Sequence, residues 1–478
     1  MSYKNNFNKT KIIATIGPAT SSYDKLKEII FAGVDVCRIN SSHGAHEDHL
    51  KVIENIRRIN AELRSNICIL FDLQGPKLRI GEVENNAIEL RNNESIILTS
   101  EKCLGTQEKV YVSYARMALD MKPGERILLD DGKLEVVVEE ILDEKNLRAR
   151  IIHGGTLSSK KGFNLPNTNL TIPALTEKDL IDLEFALQNQ VEWIGLSFVR
   201  KSEDIDQLRS IIKNSGVNSR IIAKIEKPEA IANFDSILEA TDGVMVARGD
   251  LGVELPMEQV PLIQKRIVKQ CMKASKPVII ATQMMESMIV SPTPTRAEAN
   301  DVANAVLDGA DAVMLSAETS VGAYPVKVVQ AMERIVRSVE LNDDVYHKGA
   351  RPSEDSLTFF SDEVCFTAVR MASHLGAKAI VSMTRSGYTG YKIASFRPKA
   401  NIFIFTNNLP LLNTLNLVWG VRGFYYDKYS STDDTFNDVL EILKENEFVQ
   451  KDDVVINTAS MPIHEKARTN ALKVSIVT

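Results

Sequence analysis

The chain has 478 residues, of which 44% are hydrophobic and 25% are charged, and its formal net charge is −6 at pH 7. This length predicts about two to four domains, and the negative charge argues against nucleic-acid binding, which requires a basic surface. No apolar run approaches the length of a membrane span, and the first residues lack the apolar core of a signal peptide. We therefore expect a cytoplasmic protein with neither nucleic acid nor membrane as a partner.

The five cysteines are scattered along the chain and include no CxxC pair; they are Cys37, Cys68, Cys103, Cys271 and Cys365. This pattern is typical of buried thiols in a reducing compartment, and it provides no disulfide or zinc framework.

Short apolar segments alternate with helical patterns in two parts of the chain. The predicted strands are 12–16, 34–39, 67–71, 193–198, 221–225, 243–247, 277–281 and 312–315, and the clearest helices are 22–32, 46–63, 177–189, 228–240, 261–274 and 295–308. Eight β/α repeats with nearly continuous apolar strands predict an α/β fold, a closed (β/α)8 TIM barrel. We expect this barrel to comprise residues 1–75 and 172–343.

Two further domains are predicted. Residues 76–171 interrupt the barrel repeat with short strands and turn signals, which predicts a small inserted β-barrel that acts as a lid. A polar, breaker-rich segment at 341–356 precedes a second alternation of helices and strands. Residues 344–478 are therefore predicted to form a C-terminal α/β domain with its own sheet.

The most informative stretch lies at 221–254. Lys224 and Glu226 are two residues apart at the end of one predicted strand, so their side chains share a face. The next strand is followed by Arg248, Gly249 and Asp250. Ligands bind at the carboxyl ends of barrel strands, and two carboxylates suit a hard divalent cation such as Mg²⁺. Surface ion pairs are the alternative, but four convergent charges in successive repeats favour a site.

The ends of the other strands carry similar chemistry. They supply Arg38, Asn40, Ser42, His43, Asp72, Lys77, Arg79, Ser197, Thr282, Gln283, Ser316 and Glu318. Arginine and lysine beside hydroxyl groups and a metal indicate a phosphorylated, carboxylated substrate. His43, His46 and His49 are spaced three apart, which allows a zinc site, but no further ligand stands beside them and solvated helix histidines are favoured.

Nine stretches together resemble the pyruvate kinase family. They are TKIIATIGPAT (10–20), CRINSSHG (37–44), FDLQGPKLRIG (71–81), KKGFNLP (160–166), AKIEKPEAI (223–231), VMVARGDLGVE (244–254), VIIATQMMESM (278–288), PTRAEANDVANAVLDGADAVML (294–315) and SAETSVGAYP (316–325). The resemblance implies phosphoryl transfer from phosphoenolpyruvate to ADP, which gives ATP and pyruvate in the last step of glycolysis. It also implies a homotetramer and Mg²⁺ as the cofactor, with Mn²⁺ as an alternative.

The resemblance also implies roles for individual residues at the barrel. Arg38 is expected to hold the substrate phosphate, and Lys224 to stabilise the phosphoryl group in flight and the enolate left behind. Glu226 and Asp250 are expected to bind Mg²⁺. The backbone of Gly249 and Asp250, with Thr282, is expected to bind the substrate carboxylate.

Further roles concern the nucleotide and the proton. Asn40, His43, Arg79 and Lys161 are expected to contact nucleotide phosphates, with Lys161 on the lid. Thr282 and Ser316 are the candidates for the relay that protonates the enolate.

One departure from the family pattern concerns K⁺. Many members have Thr-Lys after the residue equivalent to Asp72 and a Glu three residues further on, whereas this chain has Leu73, Gln74 and Lys77. In the family that Glu accompanies a K⁺ requirement, with K⁺ bound near Asn40, Ser42, Asp72 and the next residue, here Leu73. The chain resembles K⁺-independent members, and we expect the Lys77 ammonium to replace K⁺. A solvated lysine at the lid hinge is the alternative.

A loop at 382–394 resembles the family's sugar-phosphate effector site. Its expected contacts are Thr384, Arg385, Ser386, Gly387 and Thr389, because a Thr/Ser/Gly turn before a helix can hold a phosphate. The family often has a glycine-rich loop that closes over the effector, but residues 459–470 contain no glycine. An ordinary strand–turn–helix remains the alternative.

Two rival functions follow from the same residues. Metal-dependent barrels that make or break C–C bonds also pair carboxylates at strand ends, but they do not need Lys161, Arg79 or a third domain. A non-enzymatic scaffold would be favoured by gaps in the catalytic set, and we find none.

Overall fold

The fold is described by a computed structural model covering residues 8–168, 171–428, 431–461 and 468–478. Its first part supplies three strands and two helices of the barrel, namely β1 (Lys11–Thr15), α1 (Tyr23–Ala32), β2 (Val36–Asn40), α2 (His46–Leu63) and β3 (Cys68–Asp72). The Ser22 side chain caps α1 by accepting from the Lys25 amide, and the helix is followed by Gly33, whose φ of 126° suits glycine.

The inserted domain, which the sequence predicts to act as a lid, follows β3. Its elements are β4 (Ala87–Leu90), β5 (Ser95–Thr99), β6 (Lys109–Tyr111), α3 (Met117–Asp120), β7 (Arg126–Leu129), β8 (Leu134–Ile141), β9 (Asn146–His153), β10 (Gly155–Ser158) and β11 (Phe163–Asn164). A sheet in the order β11-β7-β8-β9-β5-β6 is joined by a β10–β4 pair. Arg79 bridges Gly162 beside β11, and Ile80 bridges Val112 beside β6. This segment therefore connects both edges of the sheet, as a small barrel requires.

The chain then returns to the main barrel. The elements are α4 (Glu177–Gln188), β12 (Trp193–Leu196), α5 (Ser202–Ser215), β13 (Arg220–Ile225), α6 (Pro228–Ala232), α7 (Phe234–Ala240), β14 (Gly243–Ala247), α8 (Arg248–Glu254), α9 (Val260–Lys273), β15 (Val278–Ala281), α10 (Arg296–Asp308), β16 (Ala312–Leu315), α11 (Ala317–Ser320) and α12 (Pro325–Val339). Two details differ from expectation. The helix predicted over 228–240 breaks at Asn233 into α6 and α7, and a short helix begins at Arg248 directly after β14.

Eight parallel strands of the described chain close in the order β1-β16-β15-β14-β13-β12-β3-β2, which confirms the predicted TIM barrel. Every residue of β14 is buried, and so is every residue of β13 after Arg220. Burial on both faces explains why these strands are continuous apolar runs in the sequence. The carboxyl ends of β3, β12, β13 and β14 are adjacent, and this end of the barrel contains the candidate site.

The C-terminal domain has its own sheet, as predicted. Its elements are α13 (Phe359–His374), β17 (Ala379–Met383), α14 (Tyr388–Ser395), β18 (Asn401–Thr406), α15 (Leu409–Leu415), β19 (Val421–Tyr425), α16 (Thr432–Glu445), β20 (Val454–Ala459) and β21 (Ala471–Ile476). The strand order is β19-β18-β17-β20-β21, with β21 antiparallel. Of these elements, α15 and β19 were not predicted from the sequence.

The C-terminal domain packs against the amino end of the barrel, opposite the candidate site. The Trp193 indole donates to the Thr414 carbonyl (3.1 Å), and the buried Arg397 guanidinium donates to Asp311 (2.8 Å). Within the described residues, no helix has the length and apolar composition needed to cross a bilayer.

Candidate active site

Lys224 lies at the centre of the charged groups at the carboxyl end of the barrel. Its Nζ is 3.0 Å from Glu226 Oε1 and 3.3 Å from Asp72 Oδ1, and it donates to Ser197 Oγ at 2.7 Å. The strands β3, β12 and β13 bring these groups together. Burial alone would lower the pKa of Lys224, but the charges of Asp72 and Glu226 outweigh it and raise that pKa above its usual value. Lys224 is therefore a stable cation.

Asp72 also binds Arg38. Its Oδ2 accepts from Arg38 Nε at 2.8 Å and from Nη2 at 2.5 Å, while Arg38 Nη1 donates to Thr15 Oγ1 at 3.0 Å. Burial would raise the pKa of Asp72, but Lys224 and Arg38 outweigh it and lower that pKa. From the sequence, Asp72 was placed at a strand end and in a cation pocket, but its role as counter-ion to two cations was not predicted.

Glu226 is held by an unusual backbone conformation. Its Oε2 accepts from the amide of Phe198 at 2.8 Å, and Phe198 has a φ of 55°. Positive φ is strained for an aromatic residue and is found where the surroundings enforce it, often at functional sites. Nothing in the sequence indicated this role for Phe198.

The two predicted metal ligands repel each other. Burial raises the pKa of Glu226, the charge of Lys224 opposes this rise, and the charge of Asp250 adds to it. Two acidic side chains in such an arrangement fit a divalent cation, which would neutralise both and accept their oxygen atoms. Glu226 and Asp250 are therefore close enough for their charges to interact, and their oxygen atoms are of the kind that Mg²⁺ prefers.

Gly249 and Thr282 meet beside Asp250. The Gly249 amide donates to Thr282 Oγ1 at 2.7 Å, and that hydroxyl donates to the Ala281 carbonyl at 2.6 Å. Thr282 has a φ of 67°, which is a clear outlier for a β-branched residue. The amide expected to bind substrate is thus already hydrogen-bonded to the other expected carboxylate ligand.

Arg248 does not join the charged cluster. Its Nη1 pairs with Asp301 at 2.7 Å and its Nη2 donates to the Thr282 carbonyl at 2.9 Å. The sequence groups Arg248 with Lys224, Glu226 and Asp250, whereas in the structure its guanidinium is directed to Asp301 and the Thr282 carbonyl instead. Its position instead supports the strained backbone at Thr282.

Ser316 lies at the end of β16, where its amide donates to Glu318 Oε2 at 2.6 Å. Glu318 is buried, and burial raises its pKa. Its other oxygen accepts from the Met285 amide at 3.2 Å. Glu318 thus fixes the backbone of the predicted relay residue.

The residues predicted to bind the nucleotide lie in the turn after β2 and on the lid. The His43 amide donates to the Asn40 carbonyl at 3.3 Å, and the Ser42 amide donates to Asn40 Oδ1 at 3.2 Å. On the lid, Arg79 Nη1 donates to the Lys160 carbonyl at 3.0 Å, and Lys161 pairs with Asp130 at 2.9 Å. Lys161 is partly exposed, so this surface pair can exchange for another anion.

Lys77 is exposed and faces the space between the lid and α8. A cleft of about 710 Å³ there is lined by Lys77, Asp131, Asn164, Gly249 and Asp250, among others. Its volume is in the range of small-ligand sites. The cleft adjoins the proposed metal carboxylate Asp250.

The histidines following Asn40 are packed in the structure. His46 Nε2 lies 2.8 Å from Asp182 Oδ1, and its ring stacks on Phe185 with the centroids 4.3 Å apart. His49 is buried edge-on against Phe71. These contacts account for the three-residue spacing of His46 and His49 without a metal. The two rings pack against protein, whereas the sequence favoured solvated histidines.

Comparison with known proteins gives the family. The profile "Pyruvate kinase, barrel domain" matches residues 7–329, and "Pyruvate kinase, alpha/beta domain" matches residues 362–475. The chain belongs to the pyruvate kinase family. It is 44% identical over 474 residues to pyruvate kinase 2 of Synechocystis sp., covering 98% of this chain and 79% of that protein.

Two further pyruvate kinases support the assignment. The protein of Geobacillus stearothermophilus is 41% identical over 471 residues, which cover 98% of this chain and 80% of that protein. The crystal structure of a pyruvate kinase from Cryptosporidium parvum superposes with a TM-score of 0.92 at 34% identity, covering 98% of this chain and 96% of that one. The predicted fold and the predicted function as a glycolytic phosphotransferase are thereby confirmed, and the rival C–C bond and scaffold functions are not supported.

The candidate effector loop of this pyruvate kinase family member uses its own hydroxyl groups internally. Thr384 Oγ1 accepts from the Gly387 amide at 3.1 Å, and Ser386 Oγ accepts from the Tyr388 amide at 3.4 Å. Arg385 and Ser386 are exposed, whereas Thr389 is buried and its hydroxyl lies 2.7 Å from that of Thr469. Of the glycine-free segment 459–470, residues 462–467 lie outside the described residues.

Proposed function

We propose that this chain transfers the phosphoryl group of phosphoenolpyruvate to ADP at the carboxyl end of the barrel, with Lys224 as the central cation. The observation that carries this proposal is the position of the Lys224 ammonium between Glu226 and Asp72. Phosphoryl transfer depends on positioning and charge neutralisation more than on covalent catalysis. Lys224 neutralises the phosphoryl group as it moves, and then the enolate oxygen that remains.

Arg38 holds the phosphate of the substrate. Asp72 occupies two of its nitrogen atoms and Thr15 a third, so its guanidinium is fixed in one orientation. A fixed planar guanidinium can bind a phosphate without losing side-chain freedom.

Glu226 and Asp250 hold Mg²⁺, and Mn²⁺ can take its place. When bound, the ion supplies Lewis-acid stabilisation of the oxygens of the substrate. Phe198 contributes by fixing Glu226 through its amide, and Gly249 and Asp250 lie on α8 at the opposite side.

The carboxylate end of the substrate lies against α8. The Asp250 amide and the Thr282 hydroxyl bind this carboxylate. The Gly249 amide also binds it, after exchanging its hydrogen bond to Thr282 for one to the substrate. Thr282 and Ser316 then pass the proton that converts the enolate to pyruvate. The strained φ of Thr282 supports a functional position for its hydroxyl.

Asn40, His43, Arg79 and Lys161 bind the phosphates of ADP and ATP. Residues 76–171 act as a lid on the barrel, which comprises 1–75 and 172–343, while 344–478 form the regulatory domain. Closure carries Lys161 from Asp130 to the nucleotide and excludes water, which would otherwise hydrolyse the phosphoryl group.

The enzyme works without K⁺ because Lys77 supplies the positive charge. The pocket at Asn40, Ser42, Asp72 and Leu73 would bind K⁺ in other members. This role is supported by the position of Lys77, which is five residues after Asp72 and lines the same cleft as Gly249 and Asp250. Equal rates in Na⁺ and K⁺ at fixed ionic strength test it.

The first of two further proposals is that a sugar phosphate binds the loop of Thr384, Arg385, Ser386, Gly387 and Thr389. The second is that the protein is a cytoplasmic homotetramer. The exposure of Arg385 and Ser386 supports the first proposal. The second is supported by β21, the last strand of its sheet, where Val474 and Ile476 are 42% and 62% exposed. Apolar edge strands tend to pair with another chain.

The experiment is a lactate dehydrogenase-coupled assay with phosphoenolpyruvate, ADP and Mg²⁺, run with a panel of sugar phosphates. We expect pyruvate release that requires both ADP and the metal, and loss of this activity in Glu226→Gln. Pyruvate release that does not depend on ADP would contradict phosphoryl transfer.

A further inference from the structure

A buried ion pair lies next to the proposed metal site but belongs to none of the roles assigned above. Lys227 follows Glu226 directly, and its Nζ is 2.6 Å from Glu254 Oε1. The side chains of Lys227 and Glu254 are only 6% and 1% exposed. Burying two charges is costly and does not by itself favour folding over an apolar pair, so such a pair calls for an explanation other than stability.

The pair connects the two segments that carry the proposed metal ligands. Lys227 continues the chain that ends β13, one residue beyond Glu226. Glu254 is the last residue of α8, four residues after Asp250 and therefore about one helical turn away. A displacement of either segment would stretch the 2.6 Å contact. The ion pair thus fixes the distance between Glu226 and Asp250 from outside the site.

Lys227 also touches the residue that orients Glu226. Its Nζ lies 6.0 Å from the ring centroid of Phe198, within the range of a cation–π contact. The Phe198 amide donates to Glu226. The Lys227 ammonium therefore supports Glu226 both along the chain and through the strained Phe198.

The lid joins the same pair. Asn164 Nδ2 donates to Glu254 Oε1 at 2.8 Å. Asn164 belongs to β11 of the lid and lies three residues after Lys161, the proposed nucleotide ligand. Glu254 Oε2 is buried and has no hydrogen-bond partner among the described residues. Glu254 therefore has an unused acceptor that faces neither solvent nor a known donor.

We propose that Lys227 and Glu254 are positioning residues that couple metal binding at Glu226 and Asp250 to anchoring of the lid through Asn164. This inference rests on the proposed metal site and lid. When Glu226 and Asp250 bind one cation, Lys227 is fixed against Glu254. Glu254 then holds β11, which begins two residues after Lys161. Because coupling between binding sites is reciprocal, loss of the Asn164 contact must also weaken metal binding.

The test uses the full-length protein and Mn²⁺ alone, with free Mn²⁺ measured by electron paramagnetic resonance in the absence of substrates. We compare Asn164→Ala, the apolar double variant Lys227→Met/Glu254→Leu, and the conservative Lys227→Arg. Loss of residues that support metal ligands typically weakens metal affinity about 10- to 100-fold. We expect about 10-fold weaker Mn²⁺ binding in the double variant, a smaller loss in Asn164→Ala, and recovery in Lys227→Arg.

A second readout follows the lid. Mn²⁺ should slow tryptic cleavage within residues 76–171 of the wild type, and this protection should be lost in Asn164→Ala and in the double variant. The matched control is Glu101→Gln, which breaks an exposed ion pair of 2.8 Å with Lys145 on the lid itself and leaves every tryptic site in place. We expect this control to bind Mn²⁺ and to be protected like the wild type.

The outcomes separate the two proposals. If Glu226→Gln binds Mn²⁺ like the wild type, the proposed metal site is wrong. If Glu226→Gln loses Mn²⁺ while Asn164→Ala and the double variant keep wild-type affinity and protection, the coupling is refuted. In that case Lys227 and Glu254 have a structural role only. A lower melting temperature of the double variant would not change this conclusion, because it reports stability and not coupling.

Discussion

Asp72 connects Arg38 to Lys224, with Oδ2 bound to the guanidinium and Oδ1 at 3.3 Å from the ammonium. Two cations assigned to one substrate would repel each other in the empty site. The buried carboxylate between them offsets this repulsion and fixes both side chains before an anion arrives. Preorganised charges of this kind need no rearrangement during the reaction, which is why they are effective in catalysis.

Lys224→Met should abolish turnover while substrate binding remains measurable. The side chain is replaced by one of similar length, so packing is kept, but the moving phosphoryl group and the enolate lose their cation. Removing one such electrostatic donor costs about 10²- to 10³-fold in kcat, and we expect about 10³-fold or more here. The assay is initial-rate kinetics, with phosphoenolpyruvate binding measured by calorimetry.

The control for this variant is Lys213→Met, at an exposed position near the end of α5. It should keep wild-type kcat. Phosphoryl transfer retained in Lys224→Met would remove Lys224 from its proposed role.

Asp72→Asn should destabilise the protein at neutral pH, because it leaves two buried cations without their counter-charge. Breaking a buried pair by removing one partner costs about 3–5 kcal/mol in free energy of unfolding. The pKa of Asp72 is lower in the folded protein than in the unfolded chain. Its charge therefore contributes stability above the unfolded value of about 4, and this contribution is lost as the pH falls through the lower folded pKa.

The measurement is urea unfolding of wild type and Asp72→Asn from pH 7 downwards. The gap between the two midpoints should stay constant to about pH 5 and shrink below about pH 4. Asp355→Asn, at an exposed position, should match the wild type throughout. A gap that widens as the pH falls would contradict the role of Asp72 as a counter-ion.

Much of this site follows from sequence periodicity, and the rest depends on contacts across the barrel. Lys224 and Glu226 share a face because they are two residues apart on a strand. The pairing of Asp72 with Lys224 was not predictable in the same way. It requires β3 to pair with β12, although the inserted domain separates the two strands in the sequence. In the structure the two strands are paired, with Gly195 opposite Asp72.

Two other outcomes depended on local backbone geometry. Arg248 was expected among the ligand cations, but α8 begins at this residue and directs its guanidinium to Asp301 and the Thr282 carbonyl. The positive φ of Phe198 could not be predicted from the sequence, because phenylalanine rarely adopts a positive φ. Such enforced conformations depend on neighbouring elements and are visible only once the fold is known.

Lys77→Glu should create a requirement for K⁺. The wild type is expected to run at equal rates in Na⁺, K⁺ and tetramethylammonium chloride at fixed ionic strength. Replacing the ammonium by a carboxylate removes the internal cation and supplies a ligand for an external one, so activity should fall about 10-fold or more without K⁺ and recover with it.

The control for Lys77 is Lys77→Met, which removes the charge without adding a ligand. We expect this variant to be slow in every salt. Strong activation of the wild type by K⁺ over Na⁺ would show that Lys77 does not replace the ion.

Asp179→Ala should loosen the lid, because Asp179 holds both chain segments that connect the lid to the barrel. Its buried Oδ1 accepts from the Gly75 amide at 3.0 Å on the outgoing segment. Its Oδ2 accepts from the Thr176 amide at 2.9 Å and from the Thr176 hydroxyl at 2.6 Å on the returning segment. The Thr176 amide contact is also half of the capping box of α4, and the other half is the Asp179 amide bound to Thr176 Oγ1 at 3.1 Å.

Without the carboxylate, two backbone amides lose their acceptors, at about 1–3 kcal/mol for each that stays buried. Tryptic cleavage between residues 76 and 171 should then accelerate by about 10-fold or more, as expected for a lower free energy of local opening. Phosphoenolpyruvate hydrolysis should rise relative to transfer to ADP, since a loose lid admits water. Asp179→Asn keeps a single carbonyl acceptor and should lie between the two proteins in both measurements. If Asp179→Ala resists trypsin like the wild type, the lid is anchored elsewhere, and the Gly75 and Thr176 contacts serve only the start of α4.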